Sequence, residues 1–474
     1  MSLNKKIAHN TMVHLAGKIV GLLIGLSSIV ILTRYLGTVG FGYYSTVVAY
    51  LMFWGILIDF GLTLTTVQMI SNKRFEFQRT INNIMSLRFV LSTAFLVLAP
   101  IVIWAFPYPI EIKIGAGLAV FAYFGVTIVQ TLTGVFQKEL QMWKVTVSEV
   151  AGKIAMIGLV GLFAYQGRSI YYLFGALGVE GLVAMIVLVA FSTKFIKWKF
   201  LMEKEILKEV FKRCWPIALS ISFNLIYLKM DTLILSLTRS QAEVGLYGAT
   251  YRIIDVLTML PAVFMGVILP LITVYYVEKK SVELKALLQK AFDVLVIFIL
   301  PTVVGAFLVG NKLMVLIAGE DFVVSGNILK VLIFASAFIF VTSLFGYAVV
   351  GINKQRQMLW GYLTAAVITF IGYLIFIPKF GYWGAAGMTV FSEVIIMVWT
   401  WIIVYRTVKF SPKLKTFFIS IPATIVMGVV VHLVSDLPVL LTILIAGVVY
   451  LLVLALFGGI KLQVLSEVVR LKRK

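Results

Sequence analysis

Long runs of apolar residues make up most of the chain, and charged residues are concentrated in the short stretches between these runs. A helix that crosses a membrane needs about 20 predominantly apolar residues. Dividing the sequence at charge clusters and at Gly, Pro and Asn positions therefore predicts fourteen transmembrane helices. Their approximate bounds are 10–33, 42–69, 83–106, 114–136, 146–166, 170–192, 215–238, 247–277, 289–309, 328–350, 358–378, 381–405, 416–434 and 438–458.

Composition indicates the same class of protein. Hydrophobic residues make up 61% of the 474-residue chain and charged residues only 13%, whereas a soluble domain carries about 25% charged residues. The first apolar run is too long for a removable signal peptide and lacks a small-residue cleavage site. A single cysteine, Cys214, and three histidines exclude a disulfide framework and a cysteine-ligated zinc site. We therefore predict an all-α polytopic membrane protein with no cofactor and no metal centre.

The distribution of basic residues predicts the topology. The chain has 41 Lys and Arg against 20 Asp and Glu, a formal net charge of +21. With the N-terminus placed in the cytoplasm, 29 basic residues fall on the cytoplasmic side and six in the outer loops, as the positive-inside rule requires. We expect a multi-pass protein of the cytoplasmic membrane with both termini cytoplasmic. The excess of positive charge then reflects topology, and it does not predict nucleic-acid binding.

A weak internal repeat suggests two related halves. The stretch LTRYLGTVGFGYYS at 32–45 aligns with LSLTRSQAEVGLYG at 235–248, and internal repeats are common in transporters. The matched pairs include Gly42 with Gly245 and Tyr44 with Tyr247. The predicted organisation is two six-helix lobes related by pseudo-two-fold symmetry, with two extra C-terminal helices. The predicted parts are an N-terminal lobe at 1–192, a basic amphipathic cytoplasmic linker at 193–214, a C-terminal lobe at 215–408, the extra helices at 409–458 and a basic cytoplasmic tail at 459–474.

Six motifs carry a resemblance to a known family. They are RYLGTVGFGYYSTVVAY at 34–50, DFGL at 59–62, MDTLILSL at 230–237, VGLYGATYRIID at 244–255, LIAGEDFVVSGNILKVL at 316–332 and IPKFGYWGAAGMTVFSE at 377–393. Together they resemble the polysaccharide flippase family, whose superfamily also includes multidrug and toxin extruders and lipid II flippases. The resemblance implies a two-lobed, V-shaped helix bundle that moves a lipid-linked oligosaccharide by alternating access. We expect a monomer that contacts membrane lipids and, as possible partners, glycan-assembly proteins.

Six basic residues remain inside the predicted spans, where a charge costs roughly 2.5–3.5 kcal/mol on insertion scales. One of them, Lys330, lies near a helix end, where its side chain can reach the membrane interface. Lys18 shares a helix stripe with Asn10, His14, Gly21 and Gly25. We predict a cationic cavity that binds the diphosphate of a lipid-linked glycan, lined by Lys18, Arg88, Lys153, Lys229 and Arg252. The alternative is internal pairing with buried acids, as between Arg252 and Asp255 or Lys229 and Asp231.

Acidic and helix-breaking residues provide two further candidates. Asp231 shares a helix face with Ser220, Asn224 and Tyr227, and such a polar stripe in an apolar helix favours contact with water. Asp231, Asp255 and Asn224 are candidates for a sodium or proton site that drives transport, with salt bridging as the alternative. Pro261 and Pro270 interrupt the hydrogen bonding of the predicted eighth helix, which makes them candidate hinge residues.

These patterns favour a flippase that moves a lipid-diphosphate-linked oligosaccharide across the cytoplasmic membrane for cell-surface polysaccharide biosynthesis. A lipid II flippase and a cation-coupled multidrug antiporter remain alternatives from the same superfamily. A membrane glycan transferase or ligase is the alternative from another class, but the short outer loops leave no room for a catalytic domain. We predict no enzymatic activity and no catalytic residue, and the absence of a Walker A motif disfavours an ATP-driven pump.

Overall fold

A computed structural model describes residues 3–71 and 75–459 of the protein. Within these residues the chain forms fourteen α-helices and two short 3₁₀ helices, Ile103–Ala105 and Glu320–Phe322, and no strand. The predicted all-α fold with fourteen helices is therefore confirmed. The helices are α1 (Leu3–Asp59), α2 (Leu62–Ile70), α3 (Phe77–Val102), α4 (Ile110–Lys138), α5 (Met142–Tyr165), α6 (Ile170–Ser192), α7 (Lys204–Thr238), α8 (Gln241–Val277), α9 (Ser281–Ala318), α10 (Ser325–Gly351), α11 (Gln355–Phe380), α12 (Tyr382–Val408), α13 (Lys415–Leu433) and α14 (Val439–Leu456).

Helix α1 contains the first predicted span and most of the second. A straight helix of its 57 residues would measure about 85 Å, well beyond a hydrocarbon layer of about 30 Å. Gly37 divides it, because its φ of 62° lies in the left-handed region that favours glycine. Phe60 and Gly61, with φ of 42° and 76°, then separate α1 from the short α2, which completes the second span.

The length and apolar character of the described helices give the same number of spans as the sequence predicts. Among the described residues, twelve helical stretches are long and apolar enough to cross a membrane. Helix α7 adds a thirteenth as a bent pair, Lys204–Asn224 and Lys229–Thr238, which meet at 54°. The break at Gly37 divides the first of the twelve, Gly17–Ile70, into two.

The predicted linker at 193–214 is not a separate amphipathic helix. Only residues 193–203 are non-helical, because α7 begins at Lys204 and continues to Thr238. Ile206, Val210 and Cys214, spaced four residues apart, form one buried stripe that packs against α2 and α3. The amphipathic pattern thus marks the first turns of a long helix with a protein partner. Of the predicted tail at 459–474, residues 460–474 lie outside the described part of the chain.

The chain packs as two compact units. The first contains Met1–Ala249 and Ala366–Ala385, and the second contains Thr250–Ala365 and Ala386–Lys474. In the first unit α4 packs against α3 and α6, around a core that includes Ile81, Ile128, Leu132, Phe136 and Leu188. In the second unit α9 packs against α10 and α13, around a core that includes Ala423, Met427, Val431, Tyr450 and Leu454. The boundaries of the predicted lobes stay a prediction.

Two glycines of the internal repeat touch each other within the first unit. A Cβ on Gly42 would lie 1.8 Å from the carbonyl oxygen of Gln241, and a Cβ on Gly245 would lie 2.0 Å from that of Thr38. The Thr46 hydroxyl donates a 2.9 Å hydrogen bond to the Gln241 amide oxygen beside this contact. Glycine is needed at both positions because α1 and the start of α8 meet backbone to backbone.

Arg88 on α3 joins four segments of the first unit. Its side chain is fully buried, and Nη2 lies 2.6 Å from Asp59 Oδ1 at the end of α1. Nε donates to Thr131 Oγ1 of α4 at 2.7 Å, Nη1 to the carbonyl oxygen of Ile58 at 3.3 Å, and Nη2 also to Thr63 Oγ1 of α2 at 3.1 Å. A buried guanidinium is stable only with such partners, since the charge has lost its hydration.

We expect Arg88→Met to lower the free energy of unfolding by about 3–5 kcal/mol, because it leaves the Asp59 carboxylate without its cation in a site that is 14% exposed. Thermal and denaturant unfolding of the detergent-solubilised protein would measure this. The double variant Arg88→Met/Asp59→Asn should recover most of the loss. As a control, Arg79→Met breaks a pair in which Arg79 is 49% exposed, and it should lower stability far less than Arg88→Met. A double variant no more stable than Arg88→Met would contradict the pairing.

Candidate functional site

Four charged side chains meet within the transmembrane part of the first unit. Lys153 Nζ of α5 lies 3.5 Å from Glu180 Oε1 of α6, and the two side chains are 34% and 24% exposed. Lys18 of α1, Lys153 and Glu180 all interact electrostatically with Glu149 of α5. We call Lys18, Glu149, Lys153 and Glu180 the charge cluster. It contains two positive and two negative groups, and part of it is open to an incoming ligand.

Small residues make room for this cluster. The Lys153 side chain lies across α1, where a Cβ on Gly21 would be 3.4 Å from Lys153 Cε and a Cβ on Gly25 would be 3.9 Å from Nζ. Gly152 allows α5 and α6 to approach, since a Cβ there would lie 2.5 Å from the carbonyl oxygen of Glu180. The predicted stripe of Lys18, Gly21 and Gly25 therefore meets Lys153. The side chains of the other two predicted members of the stripe, Asn10 and His14, lie outside the described part of the structure.

Sequence reasoning identified Lys18 and Lys153 but did not assign Glu149 and Glu180 to the same site. A local signal existed for one of them, because Glu149 precedes Lys153 by four residues, the favourable orientation for a helical ion pair. Glu180 lies on another helix, so no spacing in the sequence indicates its contact with Lys153. A third of the Lys153 side chain is exposed, so the pair is less enclosed than that of Arg88.

The other predicted cations lie in different surroundings. Arg88 directs its donors at Asp59, Thr63, Thr131 and the Ile58 carbonyl group, which is the internal pairing that the sequence left open. The structure thus places Arg88 in a closed network and outside the charge cluster. Lys229 is half-buried and interacts electrostatically with Asp231. Arg252 is half-buried in the second unit.

Asp231, the principal candidate for ion coupling, is fully buried in the first unit. Tyr247 Oη donates to its Oδ2 at 2.6 Å, and the backbone N–H of Thr232 donates to its Oδ1 at 2.6 Å. On the same helix Asn224 Nδ2 donates to Tyr227 Oη at 3.0 Å. Members of the predicted polar stripe therefore form hydrogen bonds within the protein, although the side chain of Ser220 lies outside the described part.

The remaining predictions about ions and hinges stay predictions. Asp255 is exposed in the second unit. No group of three or more His, Cys, Asp and Glu side chains that could hold a metal occurs among the residues that the structure describes. Helix α8 continues without interruption through Pro261, which is buried, and Pro270, which is exposed.

The second unit contains an apolar cavity that sequence reasoning did not find. It measures about 430 Å³ and is bounded by α8, α9, α10, α13 and α14. Its lining contains no charged residue, and the only hydroxyl groups come from Thr302, Thr442 and Tyr450. Other lining residues include Ile297, Pro301, Leu329, Met427, Ala446 and Leu451. We call it the apolar cavity; its chemistry suits a hydrocarbon chain.

Comparison with solved structures shows which fold the helices adopt. The lipid II flippase MurJ, in an inward closed conformation, superposes with a TM-score of 0.80 at 15% identity, over 94% of this chain and 98% of that one. A multidrug resistance MATE family transporter of the MOP superfamily, in an inward-facing conformation, gives 0.68 at 13% identity, over 84% and 98%. A MOP superfamily transporter from Pyrococcus furiosus gives 0.59 at 14%, over 86% and 97%. This chain therefore has the fold of these transporters.

Sequence comparison shows the family. No curated protein sequence matches the chain. The sequence model of the family described as polysaccharide biosynthesis protein matches residues 7–276, more than half of the 474 residues. That range includes four of the six motifs that carry the resemblance, together with α2–α7 and nearly all of α1 and α8. The protein is a multi-pass membrane protein with the fold of flippases and transporters, and it belongs to the polysaccharide biosynthesis protein family.

Proposed function

We propose that this protein is a flippase that carries a lipid-diphosphate-linked oligosaccharide across the cytoplasmic membrane, for the synthesis of a cell-surface polysaccharide. The observation that carries the proposal is the partly exposed Lys153–Glu180 pair inside a bundle of apolar helices. The family match and the likeness to the lipid II flippase MurJ support it. In this role the protein is a transporter and not an enzyme, and both its termini lie in the cytoplasm.

The charge cluster suits the headgroup of such a substrate. A diphosphate cannot cross an apolar layer without water or cationic partners. Lys153 and Lys18 supply two ammonium groups, and charge-assisted hydrogen bonds to phosphate are among the strong ones. When a diphosphate binds, Lys153 exchanges Glu180 for a phosphate oxygen. The Lys153 ammonium group therefore has a negatively charged partner both with and without bound substrate. Exchange of this kind keeps the lysines paired when no substrate is bound.

The apolar cavity of the second unit, taken by itself, suits a hydrocarbon chain. Its lining offers a lipid chain no charged group and few polar ones, and burial of apolar surface provides the favourable free energy. We therefore favour a lipid-linked substrate over the substrates of the multidrug antiporters. Lipid II carries the same diphosphate and a lipid chain, so the glycan must be distinguished by experiment.

Alternating access requires a contact that closes one side and then opens. We assign this role to the meeting of Gly42 and Gly245, where α1 and the start of α8 touch backbone to backbone. Asp231 lies close to this contact in sequence and space, because its partner Tyr247 is two residues beyond Gly245. Sodium binding to Asp231 would compete with the hydrogen bond from Tyr247, and protonation would weaken that bond by removing the carboxylate charge, so either event would favour opening. Pro261 and Pro270 are the proposed hinge positions further along α8.

We expect Lys153→Ala and Lys18→Ala to slow translocation roughly ten- to hundredfold, because each variant removes one charge-assisted interaction of about 1.5–3 kcal/mol with the diphosphate. The measurement is the initial rate at which a fluorescent undecaprenyl-diphosphate oligosaccharide crosses the bilayer of reconstituted vesicles. Glu180→Gln should not slow the reaction, because it frees Lys153. Lys379→Ala, at an exposed position in the last turn of α11, is the control and should transport normally.

Two outcomes would overturn the proposal. Unchanged rates in both lysine variants would show that the charge cluster does not handle the substrate. Transport of small organic cations, with no transport of the lipid-linked glycan, would identify a drug antiporter. Parallel assays with lipid II decide between the two kinds of lipid-linked substrate.

A disulfide between Ser45→Cys and Gly248→Cys tests the proposed gate. A Cβ on Gly248 would lie 3.0 Å from Ser45 Cβ, slightly inside the usual 3.5–4.5 Å range for a disulfide. We expect the oxidised double variant to be inactive in the vesicle assay and to recover on reduction. The native Cys214 is buried and provides no competing exposed thiol. Full transport by the cross-linked protein would show that α1 and α8 do not need to separate here.

A further inference from the structure

The segment that connects α6 to α7 is fixed to the start of α3. Gln78 Nε2 and Asn82 Nδ2 both donate hydrogen bonds to the carbonyl oxygen of Lys197, at 2.9 and 3.0 Å. Four residues further along, the backbone N–H of Leu201 donates to Ser86 Oγ at 2.9 Å. These bonds use polar groups that recur every four residues along one face of α3. The backbone between Lys197 and Leu201 is therefore held in place at both ends.

A second anchor follows at Glu203. Its backbone N–H donates to Asn83 Oδ1 at 2.6 Å, and its carboxylate accepts hydrogen bonds from Arg79 Nε at 2.8 and 3.0 Å. The hydrogen bonds from Arg79 and Asn83 hold the pKa of Glu203 below its usual value. The carboxylate is thus charged at neutral pH, and the anchor is intact there.

Between the anchors, three side chains line a groove. Trp198, Lys199 and Phe200 form one wall, and Trp198 and Phe200 are 38% and 67% exposed. The opposite walls come from α3, α4 and α6, and the groove measures about 440 Å³. Its remaining lining residues are Met85, Ser86, Phe89, Phe124, Ile128, Met185 and Val189. All these residues belong to the first unit. We call this feature the linker groove.

The linker groove has one charged end and one apolar end. Lys194, Lys197 and Lys199 are exposed on the connecting segment, and residues 192–202 contain no acidic side chain. At the other end Phe89 lies twelve residues beyond the start of α3, about 18 Å along the helix axis. Lysines alternating with Trp198 and Phe200 are typical of a chain that meets a membrane interface, and basic residues there attract anionic lipids.

We propose that the linker groove is a binding site for one phospholipid with an anionic headgroup, whose acyl chain lies between α3, α4 and α6 and whose phosphate contacts Lys199. A membrane phospholipid fits better than the transported substrate, because one wall of the groove is the basic segment between α6 and α7, which is anchored at Lys197, Leu201 and Glu203. The bound lipid covers the exposed Phe200 and stabilises the docking of the connecting segment on α3. Its site is separate from the charge cluster, and the proposal does not depend on the transported substrate.

The test is quenching of Trp198 fluorescence by a brominated acyl chain. Protein in detergent is titrated with dibrominated phosphatidylglycerol, and the signal of Trp198→Phe is subtracted to isolate Trp198. We expect saturable quenching, with unlabelled phosphatidylglycerol a better competitor than phosphatidylcholine. Lys199→Gln should weaken the binding of phosphatidylglycerol about fivefold, the effect of one lysine at an anionic membrane surface.

Two variants on one helix separate groove binding from general lipid contact. Val189→Phe fills the groove without adding a fluorophore and should abolish the saturable component, whereas Ile186→Phe, at a position that is 61% exposed and outside the lining, should retain it. Lys199→Gln changes only an exposed side chain, so it remains informative if Val189→Phe fails to fold. Equal competition by phosphatidylglycerol and phosphatidylcholine would refute an anionic lipid site. Displacement of the brominated lipid by undecaprenyl diphosphate alone would assign the groove to the substrate instead.

Discussion

A charge surrounded by apolar helices must find a partner, and this requirement organises the first unit. Arg88 satisfies it by binding oxygens from the end of α1, from α2 and from α4, which ties three segments to α3. Lys153 satisfies it with Glu180 and remains partly exposed. The fully buried pair cannot exchange partners without disturbing its surroundings, whereas the partly exposed pair is less constrained, which is why the proposed substrate contact is placed at Lys153.

Close packing at small residues makes these pairings possible. Lys153 reaches Glu180 because Gly21 and Gly25 leave space on α1 and Gly152 lets α6 approach α5. The same feature, at Gly42 and Gly245, brings α1 against the beginning of α8. Within a membrane the hydrophobic effect contributes little to contact between helices, so close backbone approach and polar bonds determine which faces meet. Small residues and charged residues therefore act together in this fold.

Most of the fold was predictable from the sequence, and much less of the candidate site was. Apolar length and loop charge predict fourteen helices, and the described residues, 3–71 and 75–459, form fourteen. The pattern at 193–214 predicted an amphipathic face but did not identify what covers it. In the structure Ile206, Val210 and Cys214 pack against α2 and α3. Arg88 and Lys153 looked alike as charges in apolar runs, yet their surroundings differ. A hydrophobic pattern reports which face avoids water, without specifying what covers that face.

The sequence by itself determined the class of protein, the number of helices and the few charges that lie within them, because these depend on local composition and on the thickness of a membrane. Only the tertiary structure decided the pairing of those charges. Asp59 meets Arg88 and Glu180 meets Lys153 across separate helices, and electrostatic interaction depends on distance in space and on surrounding water. The apolar cavity and the linker groove arise in the same way, since each is a space between segments that are distant in the sequence.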